Sequence, residues 1–301
     1  SHLGPEMVTE ALAYYSKGVK PHFISNIDPD FTSKLLKDLD PETTLFIIVS
    51  KTFTTIETLE NANKVRAWFI DNASEIAIKD HFIAISNNTE APKKFGVSLD
   101  NILSIPDWVG GRFSLWGSVG LIISIVIGSE SFKDFLKGAQ EMDTHFRNSP
   151  FEKNIPVVLA LVSIWYNNFF KCETEVVLPY SQFLRKLPNY LQQASMESNG
   201  KSVDRSGKKV NYETGSIVWG STGTNAQHAF FQLMHQGTKI IPSDFIAFKE
   251  SLYGDSNQHK ILNSNFLAQT NALITGKPAS GEEVHKNIDG NKPSTSIVIN
   301  K

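Results

Sequence analysis

The sequence predicts an α/β protein with two doubly wound parallel sheets, each in a flavodoxin-like three-layer α/β/α arrangement. Three observations support this fold class. Short apolar runs with the pattern of buried strands alternate with longer runs whose apolar residues have helical spacing. The same alternation starts again near Asn154. The length of 301 residues accommodates two medium-sized domains.

The domain boundaries follow from this repetition. We expect a first domain at residues 1–120, a helical connection at 121–153 and a second domain at 154–301. The chain begins at Ser1 without a methionine, and the run 296–299 near its other end resembles an unfinished strand. We therefore expect the first domain to be incomplete at its amino end and the second at its carboxyl end.

In the first half of the chain, strands and helices are expected to alternate. Strands are predicted at 20–24, 45–49, 81–86 and 101–105. Helices are predicted at 6–15, 56–72, along the apolar segment that ends at Gly128, at 131–140 and at 151–170. In the helix at 56–72, apolar residues at helical spacing form one face that can pack on a sheet.

The second half repeats this pattern. Strands are predicted at 175–178, 217–219 and 240–248, and helices at 180–193, 225–236 and 259–276. Ligands of open parallel sheets bind at the carboxyl ends of the strands. Polar residues that directly follow a strand are therefore the first candidates for a site.

The turn at 50–55 is the most informative candidate. It follows an apolar strand, precedes a helix, and carries the ammonium of Lys51 with the hydroxyls of Ser50, Thr52, Thr54 and Thr55. Backbone N–H groups at a helix start bind anions, and the hydroxyls and the lysine add donors. The turn therefore predicts a site for a phosphorylated ligand.

A structural alternative for the same turn stays open. Thr54 and Glu57 have the spacing of a capping box, in which both side chains satisfy the first N–H groups of a helix. In this interpretation the hydroxyls serve as helix caps alone and bind no ligand. The GxxxxGK[ST] pattern is absent from the sequence, so the turn is not a nucleotide P-loop.

Three further segments combine residues suited to chemistry. In 107–120, Gly110 and Gly111 allow close backbone approach, and Arg112 offers a rigid guanidinium for a carboxylate, phosphate or enediolate. The alternative is an arginine that pairs with a neighbouring acid. In 193–201, Glu197 follows an amphipathic helix and can act as a general base, although a glutamate in a turn is commonly only a surface residue.

The third segment, 220–228, is a Gly/Ser/Thr loop that opens a helix bearing His228. His228 can exchange protons near neutral pH, and His235 lies about two turns further on, so both are expected on one face. A structural histidine is the alternative. The hydroxyl of Ser1 is a candidate addition to the anion site.

Composition excludes several classes of protein. With 29 basic and 31 acidic residues the formal net charge is −2, which is unlike a basic nucleic-acid-binding surface. The apolar stretches at 121–127 and 157–165 are too short to span a bilayer. The single cysteine, Cys172, excludes an internal disulfide and suits a reducing compartment. The histidines lack metal-ligand spacing with acids or cysteine, so no required metal is predicted.

Together these motifs resemble the glucose-6-phosphate isomerase family, also called the phosphoglucose isomerase family. The similarity covers essentially the whole chain in the family's order. Six runs carry it: 50–55, 107–120, 142–147, 196–201, 224–230 and 265–270.

The resemblance implies two sugar-isomerase domains and an aldose–ketose exchange between glucose 6-phosphate and fructose 6-phosphate, through an enediol. It also implies a cytoplasmic homodimer in glycolysis and gluconeogenesis, without metal or organic cofactor, nucleic acid or membrane. One departure is the family's carboxyl-terminal segment with a catalytic lysine, which this sequence lacks. A catalytically incomplete sugar-phosphate-binding fragment, or another sugar-isomerase-domain protein, therefore stays as an alternative. The runs 107–120 and 196–201 argue against the latter.

By resemblance, each candidate residue has a role. Glu197 is the base that moves a proton between C1 and C2, Arg112 beside Gly111 stabilises the enediolate, and Gln193 contacts the substrate. His228 assists ring opening from the partner subunit, and Glu57 orients such a histidine. The phosphate ligands are Ser1, Ser50, Lys51, Thr52 and Thr55.

Overall fold

The structure, a computed structural model, describes residues 2–281 and 283–301. The chain divides into two compact units. The first comprises the residues up to Thr9 together with Tyr15–Lys133. The second comprises Glu10–Tyr14 together with Asp134–Lys301.

Up to Ile127 the chain forms a parallel sheet with helices around it. The strands are β1 (Phe46–Val49), β2 (Phe82–Ile85) and β3 (Ile102–Leu103), in the spatial order β1-β2-β3. The helices are α1 (Leu3–Ala11), α2 (Pro29–Lys37), α3 (Ile56–Asn72), α4 (Ile78–His81), α5 (Glu90–Phe95) and α6 (Leu121–Ile127). In the register of the sheet, Phe46 pairs with Phe82 and Ala84 with Ile102.

The core of this unit lies between α3 and the sheet. Val65 and Phe69 on α3 are buried with Ile48 of β1 and Phe82 of β2. The Phe46 and Phe82 rings stack with centroids 4.8 Å apart. Full burial of one such side chain contributes about 1.5–3 kcal/mol, so this packing anchors β1 and the turn that follows it.

From Ser129 onward the chain forms a second parallel sheet. The strands are β4 (Thr174–Pro179), β5 (Ile217–Gly220), β6 (Ser243–Phe248) and β7 (Ser294–Ile299), in the order β5-β4-β6-β7. The helices are α7 (Ser129–Asn148), α8 (Ile155–Phe169), α9 (Leu187–Gln192), α10 (Gly223–Ala229), α11 (Phe231–Gln236) and α12 (Ser256–Thr275). The connections run outward on both sides of the β4–β6 pair, which makes this sheet doubly wound.

The predicted fold class, parallel sheets with helices around them, is confirmed. The strand expected at 20–24 is wrong, because those residues form no strand within the described chain. The helix predicted at 180–193 begins only at Leu187, and the one predicted at 225–236 is two helices that part at Phe230. The sequence reasoning missed α2, which begins after the N-cap Asp28.

Two further features of the structure concern the apolar character of its helices and the environment of its cysteine. Within the described residues, helices long and apolar enough to traverse a bilayer are absent. Cys172 is buried, and that burial raises the pKa of its thiol.

Candidate active site

The turn after β1 is held by its buried phenylalanine. Ser50 extends the sheet ladder, since its N–H donates to the Ile85 carbonyl at 3.1 Å. Phe53 then takes a left-handed conformation with φ of 55°, and its ring packs against Phe95 with centroids 6.1 Å apart. A non-glycine residue adopts this conformation at a cost, which burial of Phe53 offsets.

The hydroxyls of the turn bond to one another. Ser50 Oγ donates to Thr55 Oγ1 at 3.2 Å, and the hydroxyls of Thr52 and Thr54 are 2.6 Å apart. The N-cap of α3 is Thr55, and within the described chain its side chain forms no capping hydrogen bond. The Thr54–Glu57 capping box is therefore wrong, and the hydroxyls form a cluster beside the helix start.

Lys51 is held by Asp107, a residue in the loop that follows β3. Its ammonium donates to the Asp107 carbonyl at 2.6 Å and lies 3.8 Å from Asp107 Oδ1. Asn87 bonds to both Lys51 and Asp107. Its side-chain amide donates to Asp107 Oδ1 at 2.8 Å, and its backbone N–H donates to the Lys51 carbonyl at 2.8 Å. The carboxyl ends of β1, β2 and β3 thus meet around Lys51.

Sequence reasoning missed Asn87. A polar run, Asn-Asn-Thr at 87–89, directly follows the predicted strand 81–86, and that position could have identified Asn87. Asn88 joins the same network by donating to the Thr52 carbonyl at 3.3 Å. The two asparagines tie the turn to β2 and limit its movement.

Arg112 lies on a 3₁₀ helix, Gly111–Trp116, in the same unit as the turn. The side chain is half-buried, and its guanidinium carbon is 5.3 Å from the centroid of the Phe113 ring. Stacking on the ring orients the planar guanidinium. Gly120 ends this segment, and a Cβ there would lie 2.3 Å from the Leu115 carbonyl oxygen, so only glycine fits.

Two other predicted residues belong to this part of the chain. Glu57 is exposed on the first turn of α3. Ser1 lies outside the described residues.

In the second unit, Gln193 and Glu197 share one short π-helix that continues α9. The i→i+5 bonding of a π-helix widens the turn, and such turns are frequent at functional sites. Glu197 is exposed and Gln193 is half-buried. The two side chains stand almost one turn apart, on neighbouring parts of one helix face.

The carboxyl end of this π-helix is capped by nearby side chains. The Lys201 ammonium donates to the carbonyls of Glu197 at 2.9 Å and Ser198 at 3.2 Å. Thr214 Oγ1 donates to the Asn199 carbonyl at 2.7 Å. A cation at a helix carboxyl end is favoured by the helix dipole, so Lys201 stabilises the backbone that carries Glu197.

His228 lies near the end of α10, which starts just past the carboxyl end of β5, and its side chain is exposed. The expectation that His235 shares its face is wrong. The helix breaks at Phe230, and His235 is buried on α11 with its Nε2 2.7 Å from Gln269 Oε1. His235 and Gln269 therefore join α11 to α12 in the core.

The run at 142–147 also has a structural role. His145 Nε2 accepts a hydrogen bond from the Ile155 N–H at 3.1 Å, and His145 Nδ1 lies 3.0 Å from Ser149 Oγ. Asn154 donates to the Phe146 carbonyl at 2.7 Å and caps the start of α8. These contacts fix the corner between α7 and α8.

The structure thus groups the predicted residues by unit. Ser50, Lys51, Thr52 and Thr55 form one turn in the first unit, which also holds Arg112. Gln193, Glu197 and His228 belong to the second unit. The first group offers donors to an anion, and the second offers a carboxylate and an imidazole for proton transfer.

Comparison with known proteins gives concordant results. The family model described as phosphoglucose isomerase matches residues 1–301. A glucose-6-phosphate isomerase of Christiangramia forsetii is 55% identical over 318 residues, covering 100% of this chain and 59% of its own length.

Two solved structures resemble the fold. A glucose-6-phosphate isomerase from Chlamydia trachomatis is 35% identical with a TM-score of 0.91, covering 99% of this chain and 58% of that one. A hypothetical protein from Thermus thermophilus is 24% identical with a TM-score of 0.80, covering 98% and 69%, and shows a shared fold alone. The chain thus spans somewhat more than half the length of the two glucose-6-phosphate isomerases.

Proposed function

Because the chain belongs to the phosphoglucose isomerase family, we propose that the protein carrying it interconverts glucose 6-phosphate and fructose 6-phosphate. The relatives named above as glucose-6-phosphate isomerases support this activity. The observation that carries the proposal is the turn at 50–55, where clustered hydroxyls and Lys51 lie at the carboxyl end of β1.

The phosphate of the sugar is bound by Ser50, Lys51, Thr52 and Thr55, with Ser1 as an additional ligand. An ammonium has three donors, so Lys51 can keep its bond to the Asp107 carbonyl and still bind a phosphate oxygen. The exposed hydroxyls of Thr52 and Thr55 can turn from their present partners toward the same anion.

The chemical step is a proton transfer between C1 and C2 of the open-chain sugar. Glu197 removes the proton from one carbon and returns it to the other, while Gln193 on the same π-helix contacts the substrate. Arg112, with Gly111 giving close backbone approach, stabilises the negative charge of the enediolate. The exchange redistributes electrons within the sugar, so neither a metal nor an organic cofactor is part of the proposal.

Ring opening precedes this step. His228 donates and accepts the proton that moves between the ring oxygen and the anomeric hydroxyl. We place His228 in the active site of a partner subunit within a homodimer, where Glu57 orients it. The protein acts in the cytoplasm in glycolysis and gluconeogenesis, with sugar-isomerase domains at 1–120 and 154–301 joined by 121–153.

A coupled assay tests this function in the longest natural form of the protein that carries these residues. We expect fructose 6-phosphate to be converted to glucose 6-phosphate at a higher rate than mannose 6-phosphate or glucosamine 6-phosphate is converted. Preference for glucosamine 6-phosphate would identify a different sugar-isomerase-domain enzyme. Binding of hexose 6-phosphates without any conversion would identify a binding module and reject the isomerase.

A further inference from the structure

A buried tyrosine lies beneath the helix that carries His228. Tyr180 directly follows β4, and 1% of its surface is exposed. Its ring stacks on Phe245 at 6.1 Å between centroids and meets the edge of Phe266 at 5.6 Å. These contacts fix the ring plane, so the direction of the Tyr180 hydroxyl is set by the core.

The hydroxyl has one specific partner on α10. Gln227 Nε2 donates to Tyr180 Oη at 2.9 Å. Burial raises the pKa of the phenol to about 12, so the hydroxyl is neutral at physiological pH. The neutral Tyr180 oxygen, whose direction is fixed, accepts a hydrogen bond from the Gln227 amide. This bond holds the Gln227 side chain against the sheet.

The first turn of α10 rests directly on the same ring. A Cβ at Gly223 would lie 2.5 Å from the Tyr180 ring, so this position takes only glycine. Ala226 is buried in the core cluster that contains Tyr180. The ring therefore sets the height of α10 above the sheet.

These contacts also determine which way His228 points. Successive helical residues are about 100° apart around the axis. With Gly223, Ala226 and Gln227 turned toward Tyr180, the next residue, His228, is turned outward, where it is exposed. A rotation of α10 would redirect the imidazole.

We propose that Tyr180 is a positioning residue for His228, acting through its hydrogen bond to Gln227. This inference rests on the proposed function, in which His228 moves a proton during ring opening. Tyr180 itself does not touch the sugar. Its hydroxyl fixes the rotation of α10 and so keeps the imidazole at the angle that proton transfer requires.

The test removes the hydroxyl and keeps the ring. In Tyr180→Phe, kcat is expected to fall on the order of tenfold, because small misplacements of a catalytic group are costly. KM should stay within about twofold, since phosphate binding belongs to other residues. Gln227→Met, which deletes the other partner, should reproduce this pattern. Tyr166→Phe, on the half-buried tyrosine of α8, is the matched control and should leave kcat unchanged.

A double-mutant cycle separates positioning from general destabilisation. In a His228→Ala background, Tyr180→Phe should change kcat by less than about twofold, because the group it positions is gone. An unchanged kcat in Tyr180→Phe, or an equal loss with and without His228, would overturn the inference. Absence of isomerase activity in the parent protein would instead reject the proposed function, so the two failures are distinguishable.

Discussion

Among single residues, Lys51, a proposed phosphate ligand, is already held in place by other parts of the chain. Its ammonium is already directed by the Asp107 carbonyl, and Asn87 holds both partners. A lysine loses much side-chain freedom when it is fixed in one position. The network has already ordered Lys51, so the proposed binding of a phosphate does not include that further loss.

Lys51→Ala should therefore weaken substrate binding more than it slows chemistry. Loss of a charge-assisted hydrogen bond predicts a rise in KM of roughly tenfold to a hundredfold, with kcat changed only a few-fold. Lys64→Ala is the matched control, because Lys64 also bonds a backbone carbonyl, that of Pro29, but lies outside the turn. Steady-state kinetics decide, and a loss confined to kcat would remove Lys51 from the phosphate site.

The residue types of the site were predictable from the sequence, whereas their partners were not. Lys51 stands out because it lies in a hydroxyl-rich run directly after a predicted strand, and Arg112 because it follows a pair of glycines. The contact of Lys51 with Asp107 joins residues 56 positions apart, and only the order of strands in the sheet brings them together.

At the scale of elements, the local sequence pattern predicted helices and strands correctly where the apolar residues of the pattern are also the ones that pack in the core. Helix α3 has the predicted bounds, Ile56–Asn72, and Val65 and Phe69 of its predicted apolar face are buried. Residues 20–24 end in the apolar pair Phe23 and Ile24 but include Pro21, which lacks the N–H that a strand ladder needs. At the break, Phe230 leaves the helical conformation with a φ of −146°, and its ring packs against Trp219 with centroids 4.7 Å apart.

We propose that the π-helix and its cap form one functional element. Lys201→Met removes the ammonium from the carbonyls of Glu197 and Ser198, so the segment that carries the proposed base should loosen. We expect kcat to fall roughly threefold to tenfold, as for a lost hydrogen bond of about 1 kcal/mol. Lys208→Met, in the neighbouring exposed loop, is the control. Equal kcat values for both variants would exclude the cap as a determinant of activity.

The amino ends of the two central strands of the second sheet carry a half-buried acidic pair. Glu175 of β4 and Asp244 of β6 line a cavity of about 30 Å³ beneath α8. Burial, and then the charge of Glu175, raise the pKa of Asp244 to about 6, although a hydrogen bond from Thr295 opposes the shift. Burial also raises the pKa of Glu175, and a hydrogen bond from Ser163 opposes it. Among the described residues that line this cavity, lysine and arginine are absent.

This pair predicts a pH-dependent stability. The folded pKa of Asp244 exceeds the ordinary value of 3.8, so folding favours the protonated acid. The resulting stabilisation is complete below 3.8 and is lost as the pH rises through about 6. Asp244→Asn should flatten this dependence and unfold at higher urea than the parent at neutral pH.

Urea unfolding from about pH 4 to about pH 8 provides the measurement. Asp134→Asn, at an exposed acid of α7, separates loss of a surface charge from loss of the half-buried carboxyl of Asp244. A parent and an Asp244→Asn variant with parallel pH curves would show that Asp244 does not contribute this dependence.

At the scale of the whole molecule, we propose that both units contribute residues to one reaction. The first contributes the phosphate turn and Arg112, and the second contributes Glu197 and His228. The sequence predicted two parallel-sheet units because the strand–helix alternation occurs twice. The assignment of roles came from family resemblance, since a glutamate in a polar turn has no distinctive sequence pattern of its own.

The most direct measurement is hexose 6-phosphate interconversion by the parent and by Glu197→Gln in D₂O, followed by proton NMR. The parent should interconvert the two sugars and place solvent deuterium on C2 of glucose 6-phosphate. The reason is that formation of the enediol leaves the sugar's proton on the base, where it exchanges with solvent before a proton returns to carbon. Glu197→Gln should lose conversion by on the order of 10²–10⁴-fold and still bind the sugar phosphate. Turnover and deuterium incorporation equal to those of the parent would contradict the account.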